Sequence, residues 1–417
     1  MIESSRFKKI CVIGLGYIGL PTATIFADRK VKVIGVDVNK HVVDTINAGN
    51  IHIVESGLDV LVHKVVSNGY LKAQEMPEEA DVFIIAVPTP FKGSDYEPNL
   101  DYIESAINAL SKILKKGDLV VLESTSPVGT TEKMARWLAK NRPDLSFPHQ
   151  KGEDSDIRIA HCPERVLPGH VIRELVENDR IIGGMTEKCT QYAIALYKIF
   201  VKGECIITNA RTAEMAKLTE NSFRDVNIAF ANELSILCDR LDINVWELIR
   251  LANRHPRVNI LQPGCGVGGH CIAVDPWFIV SANPKEARLI KMARLVNDDK
   301  VYFVVSKVKE KIKDIRSPKV ACFGLAFKPD IDDLRESPAL EITRMISDID
   351  NCEVLAVEPN INVLPQVLEN RKNVRLVNIE EALNKADVLV VLVRHKEFVG
   401  LHSDRMIDFV NLGLNNG

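Results

Sequence analysis

The chain has 417 residues, of which 46% are hydrophobic and 26% charged, so it can bury a large core and its length predicts two or three domains. Its formal net charge of -3 gives no electrostatic basis for binding nucleic acid or an anionic membrane, and we expect neither partner. Nine cysteines without a C-x-x-C pair favour free thiols in a reducing cytoplasm over a disulfide framework or a structural zinc site.

The chain opens with short β-branched segments, KKICVI, VKVIGVDV and ADVFIIAV, which are separated by segments of helix length. This alternation predicts a parallel, doubly wound sheet. Gly14, Gly16 and Gly19 follow the first strand directly and form a G-x-G-x-x-G pattern, which allows a pyrophosphate to approach a helix N-terminus closely. Asp37 ends the second strand, where a carboxylate can bind ribose hydroxyls and repel a 2'-phosphate. The pattern therefore predicts NAD rather than NADP.

Two threonine-containing segments follow later strands of the same sheet. AVPTP comes after ADVFII, and ESTSPVGT comes after DLVVL. Both lie at the carboxyl edge, where doubly wound sheets bind their ligands. Thr89 and Thr125 are therefore either cofactor-side residues or ordinary turn residues.

Strand signals disappear between about Thr212 and Lys313, and the sequence becomes helix-forming. This region predicts a helical connector, which is either a purely structural linker or the scaffold for both domains and a subunit interface. In its longest periodic stretch, Lys217, Asn221 and Arg224 are spaced to share one helix face. Such a polar stripe usually faces solvent, but a Lys and an Asn one turn apart could also donate hydrogen bonds to an oxyanion.

The segment PGCGVGGHCIAVD, residues 263 to 275, combines thiols with many glycines. A metal site is disfavoured because Cys265, His270 and Cys271 are too close in sequence to form a preformed cage and no fourth ligand is evident. A phosphate loop would end in a Lys followed by Ser or Thr, which this segment lacks. The favoured interpretation is a nucleophilic thiol in a loop that allows close approach, with Asp275 nearby to orient water or a base.

The strand pattern returns after residue 317 as PKVACFGLAF, CEVLAVEP and ADVLVVLV. The predicted fold class is therefore α/β, with two Rossmann-like doubly wound domains joined by a helical connector. The second domain lacks the glycine fingerprint. Lys328 and Arg335 occupy the corresponding loop, which is either suited to a phosphate-bearing ligand or simply a solvated charged loop.

Seven motifs resemble the UDP-glucose/GDP-mannose dehydrogenase family, in the same order and over nearly the whole chain: GLGYIGLP, AVPTP, STSPVGT, CPERVLPG, AEMAKLTENSFRDVNIAFANEL, GCGVGGHCIAVDPW and GLAFKPDIDDLRESPA. Within that family, CPERVLPG, NDRIIGG and GHCIAVDPWF are most similar to the members that act on UDP-N-acetylmannosamine. Members that act on UDP-glucose carry a Lys before the loop aspartate, where this chain has Val274.

The resemblance implies a role for each matching residue. Cys271 would be the nucleophile, and Lys217 and Asn221 would stabilise oxyanionic intermediates. Asp275 and Thr125 would hold the catalytic water, and Glu164 would assist thioester hydrolysis. The implied cofactor contacts, beside the three glycines of the fingerprint, are Tyr17, Ile18, Asp37, Thr89, Thr125 and Arg335. The implied substrate contacts are Arg165, Val166, Lys217, Asn221, Arg224, His255, Arg257, Gly268, Phe327 and Lys328.

The resemblance also implies the domain layout. Residues 1–205 would be the NAD-binding domain, 206–315 the helical connector with the cysteine loop and the dimer interface, and 316–417 the UDP-sugar-binding domain. Arg257 would act across that interface. The C-terminal sequence IDFVNLGLNNG departs from the family's aspartate-glycine stretch with its substrate-binding arginine, for which Arg394 or Arg405 is the candidate substitute.

The predicted function is NAD-dependent, four-electron oxidation of UDP-N-acetyl-D-mannosamine at C6 to the uronate, for polysaccharide or glycan synthesis. The reaction would consume two NAD and one water through a thiohemiacetal and a thioester on Cys271, in a cytoplasmic homodimer without a metal. The alternatives with the same mechanism are UDP-N-acetylglucosamine and UDP-glucose as substrates. Alternatives of other classes are a single-step alcohol dehydrogenase, which needs no thiol, and a silent NAD-binding regulator.

Overall fold

The computed structural model describes residues 6–93, 96–166 and 169–413. The chain forms two compact units, Met1–Thr219 and Glu220–Gly417, and the division lies inside one long helix. The three-part division that the sequence predicts, with boundaries after residues 205 and 315, stays a prediction. In the described residues, no helix combines the length and the apolar composition that crossing a membrane requires.

An eight-stranded sheet is the centre of the first unit. The strands described in this unit are β1 (Lys9–Ile13), β2 (Lys32–Val36), β3 (Leu71–Gln74), β4 (Val82–Ile85), β5 (Phe91–Lys92), β6 (Glu97–Pro98), β7 (Leu119–Leu122), β8 (Arg158–His161), β9 (Arg180–Gly184) and β10 (Cys205–Asn209). β5 and β6 form a separate antiparallel pair, and the other strands have the order β10-β9-β8-β7-β4-β1-β2-β3.

The strands from β3 to β8 in this sheet run parallel, in the order of a doubly wound dinucleotide-binding fold. β9 reverses direction: it pairs antiparallel with β8, with Gly184 opposite Ala160, and β10 then follows β9 in parallel. The sequence pattern did not predict this reversal. Its consequence is that the beginning of β9, rather than its end, lies at the carboxyl edge of the parallel strands.

Helices cover both faces of this sheet, as its continuous apolar strands require. The helices of the first unit are α1 (Gly19–Asp28), α2 (Lys40–Asn47), α3 (Leu58–Ser67), α4 (Asp101–Ser111), α5 (Thr130–Asn141), α6 (Pro148–Lys151), α7 (Val171–Glu177), α8 (Glu187–Tyr197) and the first part of α9 (Ala210–Arg240). Successive β1 residues point to opposite faces, so Ile10 and Val12 join one apolar cluster while Cys11 and Ile13 join the other.

The second unit contains a five-stranded parallel sheet. Its strands, in the order β13-β12-β11-β14-β15, are β11 (Lys319–Phe323), β12 (Glu353–Val357), β13 (Val374–Leu376), β14 (Val388–Val391) and β15 (Met406–Asp408). Its helices, beside the second part of α9, are α10 (Val245–Ala252), α11 (Asp275–Ala282), α12 (Arg288–Ile312), α13 (Pro338–Ser347), α14 (Gln366–Glu369) and α15 (Ile379–Lys385).

The core of the second unit also lies on both faces of its sheet. Val320 and Cys322 of β11 pack with Val304 and Val308 of α12, whereas Phe323 belongs to the cluster on the other face. One mostly parallel and one fully parallel α/β sheet, with helices between them in the chain, therefore confirm the predicted fold class.

Candidate active site

The glycine turn after β1 has the geometry of a dinucleotide cradle. Gly14 has a φ of 92°, and its N–H donates to the Val36 carbonyl at 2.8 Å. A Cβ on Gly19 would lie only 1.7 Å from the Gly14 oxygen, so this glycine lets α1 begin directly behind the turn. A Cβ on Gly16 would meet nothing within 4 Å, which leaves open space in front of the turn.

Asp37 stands beside this turn. Its Oδ2 accepts the Leu15 N–H at 3.0 Å and its Oδ1 accepts the Asn39 N–H at 2.9 Å, which holds the carboxylate at the carboxyl end of β2. Open space at Gly16, a helix that begins at Gly19 and a carboxylate at Asp37 fit the pyrophosphate and the ribose hydroxyls of NAD. Tyr17 and Ile18, both half-buried, connect the turn to α1.

Two alanine substitutions in this turn are expected to have different effects. Gly16→Ala should leave the melting temperature unchanged, because its Cβ enters open space, but should weaken NAD binding by about tenfold or more, because that space would receive the pyrophosphate. Gly19→Ala should lower the melting temperature, because its Cβ would overlap the Gly14 carbonyl. Thermal unfolding and NAD titration of both variants check this pair. Unchanged NAD affinity in the Gly16 variant would contradict the cradle.

Thr89 and Thr125 meet at the carboxyl edge of the sheet. The Thr89 hydroxyl donates to the Thr125 carbonyl at 2.5 Å, so the loops after β4 and β7 are joined at the two predicted residues. The second loop is also anchored at its far end. The Glu214 carboxylate, which is buried on α9, accepts the N–H groups of Gly129 and Thr131 at 2.6 and 2.7 Å. The sequence analysis did not identify Glu214.

Glu164 follows β8 and is buried. Its Oε1 accepts the backbone N–H of Arg165 at 2.5 Å, and its Oε2 accepts a hydrogen bond from Arg180 at 3.1 Å. Arg165 and Val166 are half-buried beside it, and Leu167 and Pro168 of the same motif lie outside the described residues. Arg180 was not identified from the sequence. Its motif, NDRIIGG, contributed only to the resemblance.

In the second unit, the cysteine loop ends where α11 begins. The Cys271 carbonyl accepts the N–H groups of Val274 and Asp275 at 3.0 and 2.8 Å, and the Cys271 side chain is half-buried. Asp275 is buried as the first residue of α11, and its Oδ2 accepts a hydrogen bond from the Asn221 side chain at 2.5 Å. The structure therefore brings together three of the predicted catalytic residues: Asn221, Cys271 and Asp275.

The glycines of the cysteine loop are required by the protein's own packing. A Cβ on Gly268 would lie 2.4 Å from the Glu336 oxygen and 2.8 Å from Phe327. Gly269 has a φ of 83°, and a Cβ there would lie 2.8 Å from the Phe327 ring. The Gly269 N–H also donates to the Arg335 carbonyl at 3.0 Å. The sequence analysis expected these glycines to admit another molecule, and the structure shows close neighbours from the same chain.

The remaining predicted residues are more exposed. Lys217 on α9 and Lys328 are half-buried, whereas Arg224, His255 and Arg257 are exposed. Asn221 and Arg224 therefore differ in burial although their spacing places them on one side of α9. Thr125, Glu164 and Lys217 belong to the first unit.

Two arginine side chains of the second unit bind nearby residues of the same unit. Arg335 binds Asp333 through two guanidinium nitrogens, with a shortest distance of 2.6 Å. Arg405, a candidate for the missing C-terminal arginine, donates to the carbonyls of Ala386 and Leu383 at 2.6 and 2.8 Å. Residues 414–417 of the departing C-terminal sequence lie outside the described residues.

A polar network beneath the cysteine loop was missed from the sequence. Asp225 on α9 accepts hydrogen bonds from Arg294 and Asn297 on α12, at 2.6 and 2.8 Å. Asn297 in turn accepts one from Asn232, whose side-chain oxygen accepts the Gly264 N–H at 2.9 Å. A signal was present, because Asn221, Asp225 and Asn232 recur at intervals of four and seven, the spacing of one buried helix face.

The turn of the second sheet repeats the geometry of the first. Gly324 has a φ of 94° and donates to the Val357 carbonyl at 2.8 Å, as Gly14 does to Val36. The carboxylate after the second strand is Glu358, whose Oε2 accepts the N–H groups of Leu325 and Ala326 at 2.8 and 3.0 Å. Here, however, the acid is buried against His395 at 3.0 Å, so it is not available to a ribose.

The same histidine belongs to a group that resembles a metal site. Ligand atoms of Asp330, His395 and Glu397 lie within 4.8 Å of one another. His395 Nδ1 already accepts the Asp330 N–H at 2.9 Å, and Nε2 contacts Glu358. Burial opposes ionisation of Glu358, but the hydrogen bonds from His395 and the Leu325 N–H hold the pKa of Glu358 at about 2. Both nitrogens of the ring are therefore used in structural hydrogen bonds.

Comparison with known proteins covers nearly the whole chain. Residues 8–201 match the NAD binding domain of the UDP-glucose/GDP-mannose dehydrogenase family, residues 211–299 its central domain, and residues 321–413 its UDP binding domain.

Several known proteins are similar to this chain along its length. A UDP-N-acetyl-D-mannosamine dehydrogenase of Campylobacter jejuni is 73% identical over 97% of this chain and 100% of its own length. An NDP-N-acetyl-D-galactosaminuronic acid dehydrogenase of Ralstonia nicotianae is 64% identical over 96% of this chain and 94% of its own. The solved structure of a UDP-D-ManNAc dehydrogenase from Pyrococcus horikoshii matches with a TM-score of 0.87 and 40% identity, over 98% of this chain and 96% of that one.

Proposed function

This chain belongs to the UDP-glucose/GDP-mannose dehydrogenase family as an NAD-dependent nucleotide-sugar dehydrogenase, and on that premise we propose that it oxidises C6 of UDP-N-acetyl-D-mannosamine to the uronate. The predictions of this family and of NAD as cofactor are confirmed. The proposed reaction converts a primary alcohol, two NAD and one water into a carboxylate, two NADH and three protons. Its product is a building block for polysaccharide or glycan synthesis.

The observation that carries this proposal is the group formed by Cys271, Asp275 and Asn221. Cys271 is a half-buried residue of the loop that leads into α11, and its carbonyl accepts the Asp275 N–H at 2.8 Å. The Asn221 side chain in turn donates to the Asp275 carboxylate at 2.5 Å. A thiol is not needed to oxidise an alcohol once. It is needed when an aldehyde must be captured and oxidised again, because thiol addition recreates an oxidisable C–H bond on a carbon that carries a hydroxyl.

In the proposed capture step, Cys271 Sγ loses its proton to Lys217 and forms a bond to the C6 aldehyde carbon. The carbonyl electron pair moves to oxygen, which then takes the proton from Lys217 to give the thiohemiacetal. Asn221 and Lys217 donate hydrogen bonds to that developing oxyanion. NAD, when bound, accepts the hydride in each of the two oxidations. The second oxidation leaves the sugar as a thioester on Cys271.

In the proposed release step, a water attacks the thioester carbon. Asp275 and Thr125 hold this water, and Glu164 takes its proton as the new C–O bond forms. The C–S bond then breaks, and its electron pair returns to Cys271 Sγ. In this scheme each predicted catalytic residue acts on the thiol, on the oxyanion or on the water.

The sugar is the finer part of the proposal. The Campylobacter and Pyrococcus relatives are named for N-acetylmannosamine, and the Ralstonia relative for an N-acetylgalactosamine uronate. All three names describe 2-acetamido sugars, so the chemical class is shared and only the epimer differs. We therefore propose a 2-acetamido substrate with the manno configuration. UDP-N-acetylglucosamine, UDP-N-acetylgalactosamine and UDP-glucose are the comparison substrates.

The proposed function predicts two NADH per sugar when UDP-N-acetyl-D-mannosamine is limiting and NAD is in excess. Absorbance of NADH and mass spectrometry of the product check the ratio and the uronate together. One NADH per sugar would indicate a single-step alcohol dehydrogenase. NAD binding without turnover of any of the four sugars would indicate a silent regulator, and a higher kcat/KM for UDP-glucose would overturn the proposed sugar.

We also propose that the protein acts as a homodimer through its central helical region. On α9, Phe223, Phe230 and Leu237 recur every seven residues, and 69%, 52% and 47% of their surfaces are exposed. An apolar stripe at this spacing is typical of a helix that packs against another helix. Sedimentation equilibrium at micromolar concentration tests the proposal, and a stable monomer would contradict it.

A cytoplasmic location is the last part of the proposal. None of the nine cysteines, all of which lie in the described residues, is in a disulfide, and a nucleophilic Cys271 must remain reduced to act. Retention of the activity in the soluble cytoplasmic fraction of the source cells tests this location, and its recovery from an oxidising compartment would contradict it.

A further inference from the structure

A buried cluster behind Glu164 contains two carboxyl groups and one guanidinium group. Glu123 follows β7, Glu164 follows β8 and Arg180 begins β9, and their exposed fractions are 1%, 6% and 5%. The three strands are neighbours in the sheet. Because β9 runs antiparallel to β8, its first residue lies at the carboxyl edge, beside the ends of β7 and β8. The cluster therefore depends on the reversal of β9.

Arg180 links the two carboxyl groups. One of its guanidinium nitrogens donates to Glu123 Oε1 and the other to Glu164 Oε2, each at 3.1 Å. The Tyr197 hydroxyl donates to the same Glu123 oxygen at 3.0 Å, and the Arg180 guanidinium lies 4.6 Å from the centre of the Tyr197 ring. Thr22 on α1 donates to the other Glu123 oxygen at 3.4 Å. Arg180 is thus held from two sides while it binds Glu164.

The charges of this cluster do not balance when both acids are ionised. Burial raises the pKa of Glu123 to about 7, although the positive charge of Arg180 opposes that shift. The other polar groups that face Glu123 are Glu164, Tyr197 and Cys162, and the Cys162 thiol contacts Arg180 at 3.6 Å. In a buried site, one guanidinium shared by two acids stabilises each of them less than it would stabilise one alone.

We propose that Arg180 and Glu123 are positioning residues for thioester hydrolysis: Arg180 fixes the Glu164 carboxylate, and Glu123 controls how much of the Arg180 charge acts on it. This inference rests on the proposed function, in which Glu164 takes a proton from the attacking water. Neither Arg180 nor Glu123 gains or loses a bond to the substrate in this step. Their effect is on where the Glu164 carboxylate points and on the pH range in which it can accept the proton.

Two substitutions should change the pH dependence of hydrolysis in different ways. Glu123→Gln keeps an oxygen for Tyr197 but cannot ionise, so Arg180 acts on Glu164 alone at every pH and the change in hydrolysis rate that follows ionisation of Glu123 near pH 7 should disappear. Arg180→Gln removes the positive charge, so the acid limb should move up by about one unit and hydrolysis should slow. If Glu123 and Arg180 affected only stability, neither variant would change the pH dependence of hydrolysis.

The measurement is the hydrolysis step itself. Enzyme, NAD and UDP-N-acetyl-D-mannosamine are mixed across pH 5 to 9 and quenched in acid, and intact mass gives the fraction of enzyme that carries the sugar acyl group. Arg180→Gln should accumulate this acyl-enzyme at neutral pH, whereas Glu123→Gln should not. Arg180→Lys keeps the charge but loses the two-pronged contact, so it should slow hydrolysis with a smaller shift of the limb.

Arg158→Gln is the matched control. Arg158 is also buried, lies on the neighbouring strand β8, and contacts Ser155 and the ring of Tyr192 rather than Glu164. It should lower the melting temperature without shifting the pH profile. Profiles of Glu123→Gln and Arg180→Lys that coincide with that of the wild type would overturn this inference alone. One NADH per sugar and no acyl-enzyme in the wild type would overturn the proposed function instead.

Discussion

Replacing Cys271 with alanine is expected to lower the rate of uronate formation by roughly 10³-fold or more, because the aldehyde then has no covalent route to a second oxidation. NAD binding should be unchanged, because the glycine turn that would receive the cofactor lies in the first sheet domain. The measurement is uronate formation by mass spectrometry together with NADH release, with UDP-N-acetyl-D-mannosamine as substrate.

Cys265→Ala provides the matched control in the same loop. The Cys265 thiol is buried and donates to the Leu392 carbonyl at 3.4 Å, and burial raises the pKa of Cys265 to about 12, so it is a packing residue rather than a nucleophile. This variant should form uronate at nearly the wild-type rate. NADH release by the Cys271 variant at the wild-type rate, with one NADH per sugar and no uronate from either protein, would mean that the protein is a single-step alcohol dehydrogenase.

Replacing Asp225 with alanine is expected to lower the free energy of unfolding by about 3–5 kcal/mol, because it leaves the buried Arg294 guanidinium without its buried partner. Asp225 and Arg294 are 0% and 2% exposed and 2.6 Å apart. Burial raises the pKa of Asp225 even though Arg294 opposes this shift, so the intact pair contributes little net stability. The large effect comes from the loss of the buried counter-charge. Urea unfolding of both proteins gives the difference.

Asp298→Ala is the control, because it tests whether the loss of any acidic partner of Arg294 destabilises the protein as much as the loss of Asp225. Asp298 binds another nitrogen of the same guanidinium, but 42% of its side chain is exposed. Water can replace this partner, so the variant should lose less than about 1 kcal/mol. Equal losses for the Asp225 and Asp298 variants would contradict the importance of burial at this network.

The cofactor turn was predictable because its signal is local. The turn, the helix start and the carboxylate at Gly14, Gly19 and Asp37 depend on backbone conformations that neighbouring residues dictate. The second sheet was predictable for the same reason, from apolar runs at helix-length intervals. The hydrogen bond between Glu358 and His395 in this sheet domain was not predictable. Nothing in the sequence around Glu358 indicates that His395, 37 positions away, would bind it.

The spacing of polar residues along α9 did not predict which of them are buried. The interval between Asn221 and Arg224 places them on one side of α9, but Asn221 is buried against Asp275 while Arg224 is exposed. Helical periodicity gives the direction of a side chain and not what packs there. The same limit applies to the glycines of the cysteine loop. The approach of a ligand to them stays a prediction, and the sequence did not indicate that Phe327 and the segment around Glu336 pack against them.

The sequence by itself determined the fold class, the cofactor and the family, because these depend on local patterns and on the order of motifs along the chain. Only the tertiary structure decided which residues support the candidate site. Arg180 contacts Glu123 and Glu164 because β9 runs antiparallel to β8. Arg294 contacts Asp225 because α12 packs on α9. These contacts join residues far apart in sequence, and the packing of whole elements, rather than the preference of any one segment, brings them together.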